Sequence, residues 1–251
     1  MESFDPQWGP TIDLIRYAKN IIIFSGAGLS TESGIPDFRS PNGLWSRFDP
    51  STYANYHYFL KDPQLYWELE KETIPIFAKA KPNVAHKAIV DLEKKSKLKG
   101  IITQNIDNLH QDAGSKVPVI EIHGNAYRAH CLDCEVEIKR GVILKQLKNG
   151  NSVPECPKCG GRIKTGVILF NEPMGDQVIN EALKYTKDCD LMFVIGTSLW
   201  VYPANLIPLI ARKNGAKLIF INKDPTPYDK YATVRMLGNV TDILPKLVRD
   251  V

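Results

Sequence analysis

The chain has 251 residues, a length that allows one large core or one core with a small satellite, and 43% of them are hydrophobic. The sequence has neither an apolar run long enough to span a bilayer nor the pattern of an amino-terminal signal peptide, so we expect a cytoplasmic protein without a membrane partner. The formal net charge of +4 is too small for a dedicated nucleic-acid binder.

Short apolar runs alternate with helical patterns along the chain. The runs are continuously apolar, as in strands covered on both faces, and lie at Ile21–Phe24, Gly100–Thr103, Val119–Ile122, Leu191–Ile195 and Lys217–Ile221. Helical patterns occur at Thr11–Lys19, Pro63–Ala80 (broken near Pro75), Asn83–Lys94, Asp176–Lys187 and Ala204–Asn214. This alternation predicts an α/β fold with a Rossmann-like, doubly wound parallel sheet.

Two regions interrupt the alternation. Residues 36–80 are helix-rich and aromatic, and residues 126–168 contain four of the five cysteines. We interpret both as insertions, one a helical cover over the ligand cleft and the other a small metal-binding module. The α/β domain is then discontinuous and comprises residues 1–35, 81–125 and 169–251.

The first apolar run ends at the loop Gly26-Ala27-Gly28. Glycines at this point let backbone N–H groups approach a pyrophosphate, and the N-terminus of a following helix favours the anion. A third glycine would fall at position 31, which is Thr31, so this motif alone leaves an ordinary tight turn open. The nearby Asp37, Phe38 and Arg39 suit ligand binding better than a core, since a guanidinium can pair with phosphate and a phenyl ring can cover a planar group.

Polar residues follow the next two runs. Gln104-Asn105-Ile106-Asp107 lies at a strand end, where α/β folds hold ligands, although a turn capping the next helix is the alternative. His123 also ends a run and is followed by Gly124. A lone histidine is usually structural, but an imidazole that titrates near neutrality suits proton removal.

Two CxxC pairs, Cys131/Cys134 and Cys156/Cys159, are separated by 21 residues. Thiolates at i and i+3 on a tight turn can reach one ion, and two such turns complete a closed tetrahedral site. Paired CxxC units in a chain without an export signal favour metal over disulfides. We therefore predict one structural Zn²⁺, and we interpret Cys189 as a plain buried thiol.

Several of these motifs, in this order, resemble those of the sirtuins. The resemblance extends from about Ile12 to Leu247, and the residues that carry it are GAGLSTESGIPDFRS from Gly26, TQNIDNLH from Thr103, His123-Gly124, the two CxxC pairs and Gly196-Thr197-Ser198.

The resemblance implies NAD as a co-substrate. The positions that match the family's cofactor contacts are Gly26, Ala27, Gly28, Thr31, Asp37, Phe38, Arg39, Gln104, Asn105, Ile106, Asp107, Gly196, Thr197, Ser198, Asn222 and Val240. In the family Gln104 would lie near the ribose, Asn105 and Asp107 would line the nicotinamide pocket, and Asn222 and Val240 would contact the adenosine.

The resemblance also implies the catalytic and substrate residues. His123 matches the general base, with Asn105 as the second catalytic residue. Val167, Phe170, Asn171 and Glu172 match the segment that pairs with an acyl-lysine peptide as an added strand, and Val201 lies where the family holds the peptide's other side. The family usually has Gly at position 171, but Asn tolerates a left-handed backbone.

The implied activity is NAD-dependent removal of acetyl or other short acyl groups from protein lysines, which gives nicotinamide and O-acyl-ADP-ribose. Nucleic acid would be met only through substrate proteins. The Tyr-x-x-Arg signature of members that prefer acidic acyl groups is absent from the aromatic stretch Tyr53–Phe59. Alternatives are protein mono-ADP-ribosyl transfer at the same site, an NAD-linked dehydrogenase and a non-catalytic zinc module.

Overall fold

A computed structural model describes residues 6–41, 43–95 and 97–251. Within these residues six parallel strands form the central sheet in the order β3-β2-β1-β6-β7-β8. The strands are β1 Ile21–Ser25, β2 Leu98–Thr103, β3 Val119–Glu121, β6 Leu191–Ile195, β7 Lys217–Asn222 and β8 Val234–Leu237. The order reverses between β1 and β6, which confirms the doubly wound fold and places a ligand crevice at their carboxyl ends.

Helices cover both faces of the sheet. The helices are α1 Trp8–Tyr17, α2 Pro50–Tyr53, α3 Tyr56–Lys61, α4 Gln64–Lys79, α5 Val84–Lys94, α6 Leu109–Asp112, α7 Arg140–Lys148, α8 Asp176–Lys187, α9 Ile207–Lys213 and α10 Val240–Asp250. Ile21 and Ile23 of β1 pack with α1, α5 and α10, whereas Ile22 and Phe24 pack with α8 and α9. A strand buried on both faces therefore reads as a continuous apolar run.

A second, smaller core lies beside the sheet. β4 Gly124–Cys131 and β5 Ile163–Val167 form an antiparallel pair, and α7 belongs to the same region. One hydrophobic cluster joins side chains from residues 54–69 with side chains from residues 129–169. The two insertions thus share a core, while the domain boundaries given above stay a prediction.

Two local expectations were wrong, and one strand of the central sheet was not predicted. No α-helix follows the glycine loop directly: two short 3₁₀ turns do, Ala27–Leu29 and Thr31–Ser33. α4 continues through Pro75 without the expected break. The edge strand β8 was missed because it alternates between buried and exposed residues and includes Arg235.

No helix in the described parts of the chain combines the length and the apolarity needed to cross a bilayer.

Candidate active site

Two adjoining cavities of about 550 and 420 Å³ open at the carboxyl edge of the sheet. The smaller, the more polar of the two, is called the polar cavity below and is lined by the loops after β1, β2, β6 and β7. The larger extends between the sheet and the second core. Five residues border both cavities: Phe38, Arg39, Gln104, His123 and Val201. A group held in one cavity therefore meets a group held in the other beside these side chains.

His123 is held in a defined orientation at this boundary. It follows β3, and its Nδ1 donates to the carbonyl oxygen of Gln104 at 3.1 Å, which leaves Nε2 with the lone pair. Burial lowers the pKa of His123, the hydrogen bond to Gln104 raises it, and the positive charge of Arg39 lowers it. The net lowering favours the neutral imidazole, the form that accepts a proton.

Asn105, Ser30 and Asp107 form a buried network after β2. The Ser30 hydroxyl donates to Asp107 Oδ2 at 2.6 Å and accepts from Asn105 Nδ2 at 3.2 Å. The Leu109 backbone N–H donates to Asp107 Oδ1 at 2.9 Å. Burial raises the pKa of Asp107, while the Ser30 and Leu109 hydrogen bonds oppose that rise. Asn105 lines the smaller cavity, whereas Asp107 lies behind it and acts through Ser30.

The glycines of the first loop also permit close packing against the loop after β6. A Cβ at Gly26 would lie 2.7 Å from Thr197 Cβ, and one at Gly28 would lie 2.9 Å from Gly196 Cα. Gly196 itself has φ +59°, and a side chain there would collide with Leu29. The loops after β1 and β6 therefore touch backbone to backbone, which only glycine permits.

Polar contacts tie the cofactor-side loops together. Gln104 Nε2 donates to the Thr197 hydroxyl at 2.8 Å, and Asn222 Oδ1 accepts from the Thr197 backbone N–H at 2.8 Å. Asn222 Nδ2 is buried without a hydrogen-bond partner in the described chain. Ala27, Thr31, Asp37, Ser198 and Val240 line the same cavity. An unsatisfied donor on a residue that lines this crevice fits a ligand rich in oxygen acceptors, such as a dinucleotide.

Three rings connect the two cavities. Phe38 lies 5.1 Å from Trp45, and Trp45 lies 6.1 Å from Phe170, measured between ring centroids. Phe38 borders the polar cavity, and Phe170 belongs to the segment predicted to bind peptide. Packing thus links the predicted cofactor and substrate regions directly.

The predicted substrate segment lines the larger cavity. Val167, Phe170, Asn171, Glu172 and Val201 all border it. Asn171 has φ +62°, so it adopts the left-handed backbone expected where the family has glycine. The segment is anchored by two backbone bonds between residue 170 and the helical insertion, from Tyr56 N to Phe170 O at 2.9 Å and from Phe170 N to Ala54 O at 2.8 Å.

The buried side chain of Lys164 anchors the same segment. Lys164, 1% exposed, forms an ion pair with Glu172 Oε2 at 3.0 Å and donates to the carbonyl oxygens of Thr165 and Val167. Glu172 Oε2 also accepts from the Leu169 backbone N–H at 2.8 Å. These bonds fix the curvature of residues 167–172.

The larger cavity has an exposed mouth and a buried end. Trp200, Tyr202 and Phe170 are exposed at the mouth, whereas α4 supplies the buried end through Tyr66, Leu69, Glu70, Thr73 and Phe77. Tyr53, Tyr56 and Phe59 belong to the insertion expected to cover the cleft, but they border neither cavity and pack in the second core.

The four predicted metal ligands converge. Their sulfur atoms lie within 4.8 Å of one another, with Cys131 Sγ 3.6 Å from Cys159 Sγ and Cys134 Sγ 3.8 Å from Cys156 Sγ. Four thiolates about 2.3 Å from a tetrahedral Zn²⁺ stand about 3.8 Å apart, so this set fits zinc and is too open for disulfides. Cys189 lies apart, buried, with its pKa raised by burial to about 12.

Most predicted cofactor positions line the polar cavity, with two differences. Ile106 borders the larger cavity, and Asp107 lies behind Ser30. Sequence reasoning missed Ser30, although it belongs to the quoted loop motif. It also missed the α4 residues of the buried end and the aromatic rim, because only the fold brings them to the cleft.

Comparison with known proteins gives consistent matches. A family model described as Sir2 family matches residues 26–203. An NAD-dependent protein deacetylase of Thermodesulfovibrio yellowstonii is 46% identical over 98% of this chain and 96% of its own length. One of Caldivirga maquilingensis is 44% identical over 95% of this chain and 91% of its own length. A solved structure of Sir2 with a p53 peptide and NAD⁺ is 35% identical, with a TM-score of 0.89 over 96% of this chain and 97% of that one.

These matches exclude the dehydrogenase and the non-catalytic module as descriptions of the chain. The relatives are named for deacetylation, so ADP-ribosyl transfer is not favoured. A matching family model, relatives that are colinear over nearly the whole length and the same fold make this chain a member of the Sir2 family.

Proposed function

We propose that this chain removes acetyl or other short acyl groups from protein lysines with NAD as co-substrate, giving nicotinamide and O-acyl-ADP-ribose. The observation that carries the proposal is the position of His123 at the boundary between the more polar and the more apolar of the two cavities. A base at that point reaches a ribose hydroxyl on one side and an acyl-lysine on the other.

When bound, NAD supplies an electrophilic ribose carbon, and the chain's residues orient and protect it. His123 Nε2 takes the proton of a ribose hydroxyl, while Gln104 holds the other ring nitrogen. Asn105, fixed by Ser30 and Asp107, orients the nicotinamide amide. Arg39, which makes no salt bridge within the described residues, offers its guanidinium to phosphate oxygens.

The peptide substrate enters between two segments. Residues 167–172 and the stretch around Val201 both line the larger cavity. An extended peptide adds a strand there through main-chain bonds, and its acyl-lysine points towards His123. Main-chain recognition predicts acyl-lysine proteins or peptides of varied sequence as partners.

The cysteine cluster binds one structural Zn²⁺, since four thiolates leave no open position for chemistry. Free thiols and a requirement for NAD both suit the reducing cytoplasm, which we propose as the location.

The decisive test incubates the zinc-loaded protein with an acetyl-lysine peptide, with and without NAD. Mass spectrometry should detect loss of the acetyl group and release of nicotinamide only when NAD is present. A peptide that stays acetylated, with no nicotinamide released, contradicts the proposal.

His123→Ala tests the base. Positioned general bases contribute about 10²- to 10⁴-fold, so we expect turnover to fall by that order while NAD binding is retained. His57→Ala is the matched control, because His57 is exposed and borders neither cavity. Normal turnover in His123→Ala would contradict the assignment.

A further inference from the structure

The buried end of the larger cavity contains a carboxyl group that the proposed reaction does not use. Glu70 lies on α4, is only 6% exposed and borders the cavity together with Leu69 and Phe77. Its Oε2 has no hydrogen-bond partner among the described residues. Its Oε1 accepts from the Thr165 hydroxyl at a long 3.4 Å, and the neighbouring Tyr66 hydroxyl also interacts with the carboxyl group.

Most polar groups around Glu70 have other partners. The exception is Arg140, whose charge acts on Glu70 although its buried Nη1 has no hydrogen-bond partner among the described residues and forms no ion pair with Glu70. The Tyr66 hydroxyl pairs with Thr165 Oγ1, and the Thr73 hydroxyl donates to backbone carbonyls of its own helix. Lys164 is directed to Glu172 and to two carbonyl oxygens. A buried acceptor left unsatisfied in this way costs free energy until a donor reaches it.

The charge of Glu70 also affects what can enter. Burial raises its pKa to about 7, against the lowering effects of Tyr66, Arg140, Thr165 and Lys164. A substantial share of the molecules therefore carries an ionised Glu70 at neutral pH. A second carboxylate beside it would be repelled, and a methyl group would leave it unsatisfied.

We propose that Glu70 selects the acyl group, favouring short chains whose far end carries a hydroxyl over isosteric chains that end in a methyl or a carboxylate. The lysine enters past the exposed mouth, its amide lies near His123, and the acyl chain runs along apolar walls towards α4. A terminal hydroxyl then donates to Glu70. This inference rests on the proposed function and names its substrate class.

The test measures kcat/KM for three peptides that differ only in the acyl group: 4-hydroxybutyryl, pentanoyl and succinyl. The first two have the same number of heavy atoms in the chain. We expect the wild type to prefer 4-hydroxybutyryl over pentanoyl by about tenfold, the effect of one hydrogen bond to a charged acceptor, with succinyl slowest. Glu70→Leu should reverse the first preference, and Glu70→Gln should retain part of it.

Glu72→Gln is the control, since Glu72 lies exposed on the same helix, bonds Arg47 and does not border the cavity. It should keep the wild-type ratio, and thermal unfolding checks that each variant is folded. Equal kcat/KM values for the hydroxybutyryl and pentanoyl peptides in the wild type would overturn the inference, and so would a ratio that Glu70→Leu leaves unchanged. If an acetyl peptide is still deacetylated in that case, the proposed function stands. If an acetyl peptide is not processed either, both fail together.

Discussion

At the residue scale, burial and one hydrogen bond fix the state of His123. Nδ1 carries the proton because it donates to the Gln104 carbonyl oxygen, and the lowered pKa disfavours protonation of Nε2. The sequence predicted the residue type and its place at a strand end. The sequence could not predict that Arg39 acts on His123, because the two residues are 84 positions apart in the chain and only the fold brings them together.

This arrangement predicts the pH dependence of the reaction. An imidazole base is active above its own pKa, so a lowered pKa should place the acid limb of the kcat/KM profile below the ordinary histidine value of 6.5. Arg39→Gln removes a positive charge that disfavours the imidazolium, so the limb should move to higher pH. Arg39→Lys keeps the charge and is the control. A limb at the same pH in wild type and Arg39→Gln would contradict this account.

At the element scale, the segment of residues 167–172 has no regular structure of its own. Backbone bonds from the helical insertion hold one side, and the buried ion pair Lys164–Glu172 holds the other. The sequence showed that the segment resembles a peptide-binding strand and that Asn171 could adopt a left-handed turn. Nothing in the pattern of β5 indicated that Lys164 points inward, because a lysine in a short strand is ordinarily solvated.

Lys164→Met should therefore loosen the segment and destabilise the protein. Removing one partner leaves Glu172 as an uncompensated, mostly buried charge, a change that costs about 3–5 kcal/mol in buried pairs. Urea unfolding measures that loss, and we expect KM for the peptide to rise more than kcat falls. Lys164→Met with Glu172→Gln removes both charges and should recover part of the stability. If the single variant is as stable as wild type, the ion pair does not support the segment.

Prediction from the sequence was most reliable for elements whose residue pattern is set by their own burial. The apolar runs located five central strands within a few residues, because strands covered on both faces are mostly apolar. Prediction failed where contacts with neighbouring elements determine the local structure. The loop after β1 packs against the loop after β6 instead of starting an α-helix, and β8 is a half-exposed edge strand. The buried end of the cavity was out of reach for the same reason, since α4 meets the sheet only after folding.

At the scale of the whole molecule, the cysteine cluster and the helical insertion share one core. Cys131 and Cys156 belong to the hydrophobic cluster that contains Phe59 and Trp67. The helix that lines the buried end of the cavity is therefore supported by the metal module, although the zinc itself performs no chemistry in the proposed reaction.

Cys156→Ser should abolish zinc binding and, with it, deacylation. Structural zinc contributes folding free energy directly, so we expect a lower unfolding midpoint and loss of the α4 wall. Metal analysis, calorimetry and the acetyl-peptide assay measure the three effects. Cys189→Ser is the control, because Cys189 lies outside the cysteine cluster. This variant protein should keep its zinc. A zinc-free Cys156→Ser protein with normal activity would contradict the coupling.

The chain of rings from Phe38 through Trp45 to Phe170 has a thermodynamic consequence. If a bound peptide tightens dinucleotide affinity by some factor through these rings, the dinucleotide must tighten peptide affinity by the same factor. Titration calorimetry of each ligand, alone and with the other saturating, gives that factor twice, by independent routes. Trp45→Ala should bring both values towards one.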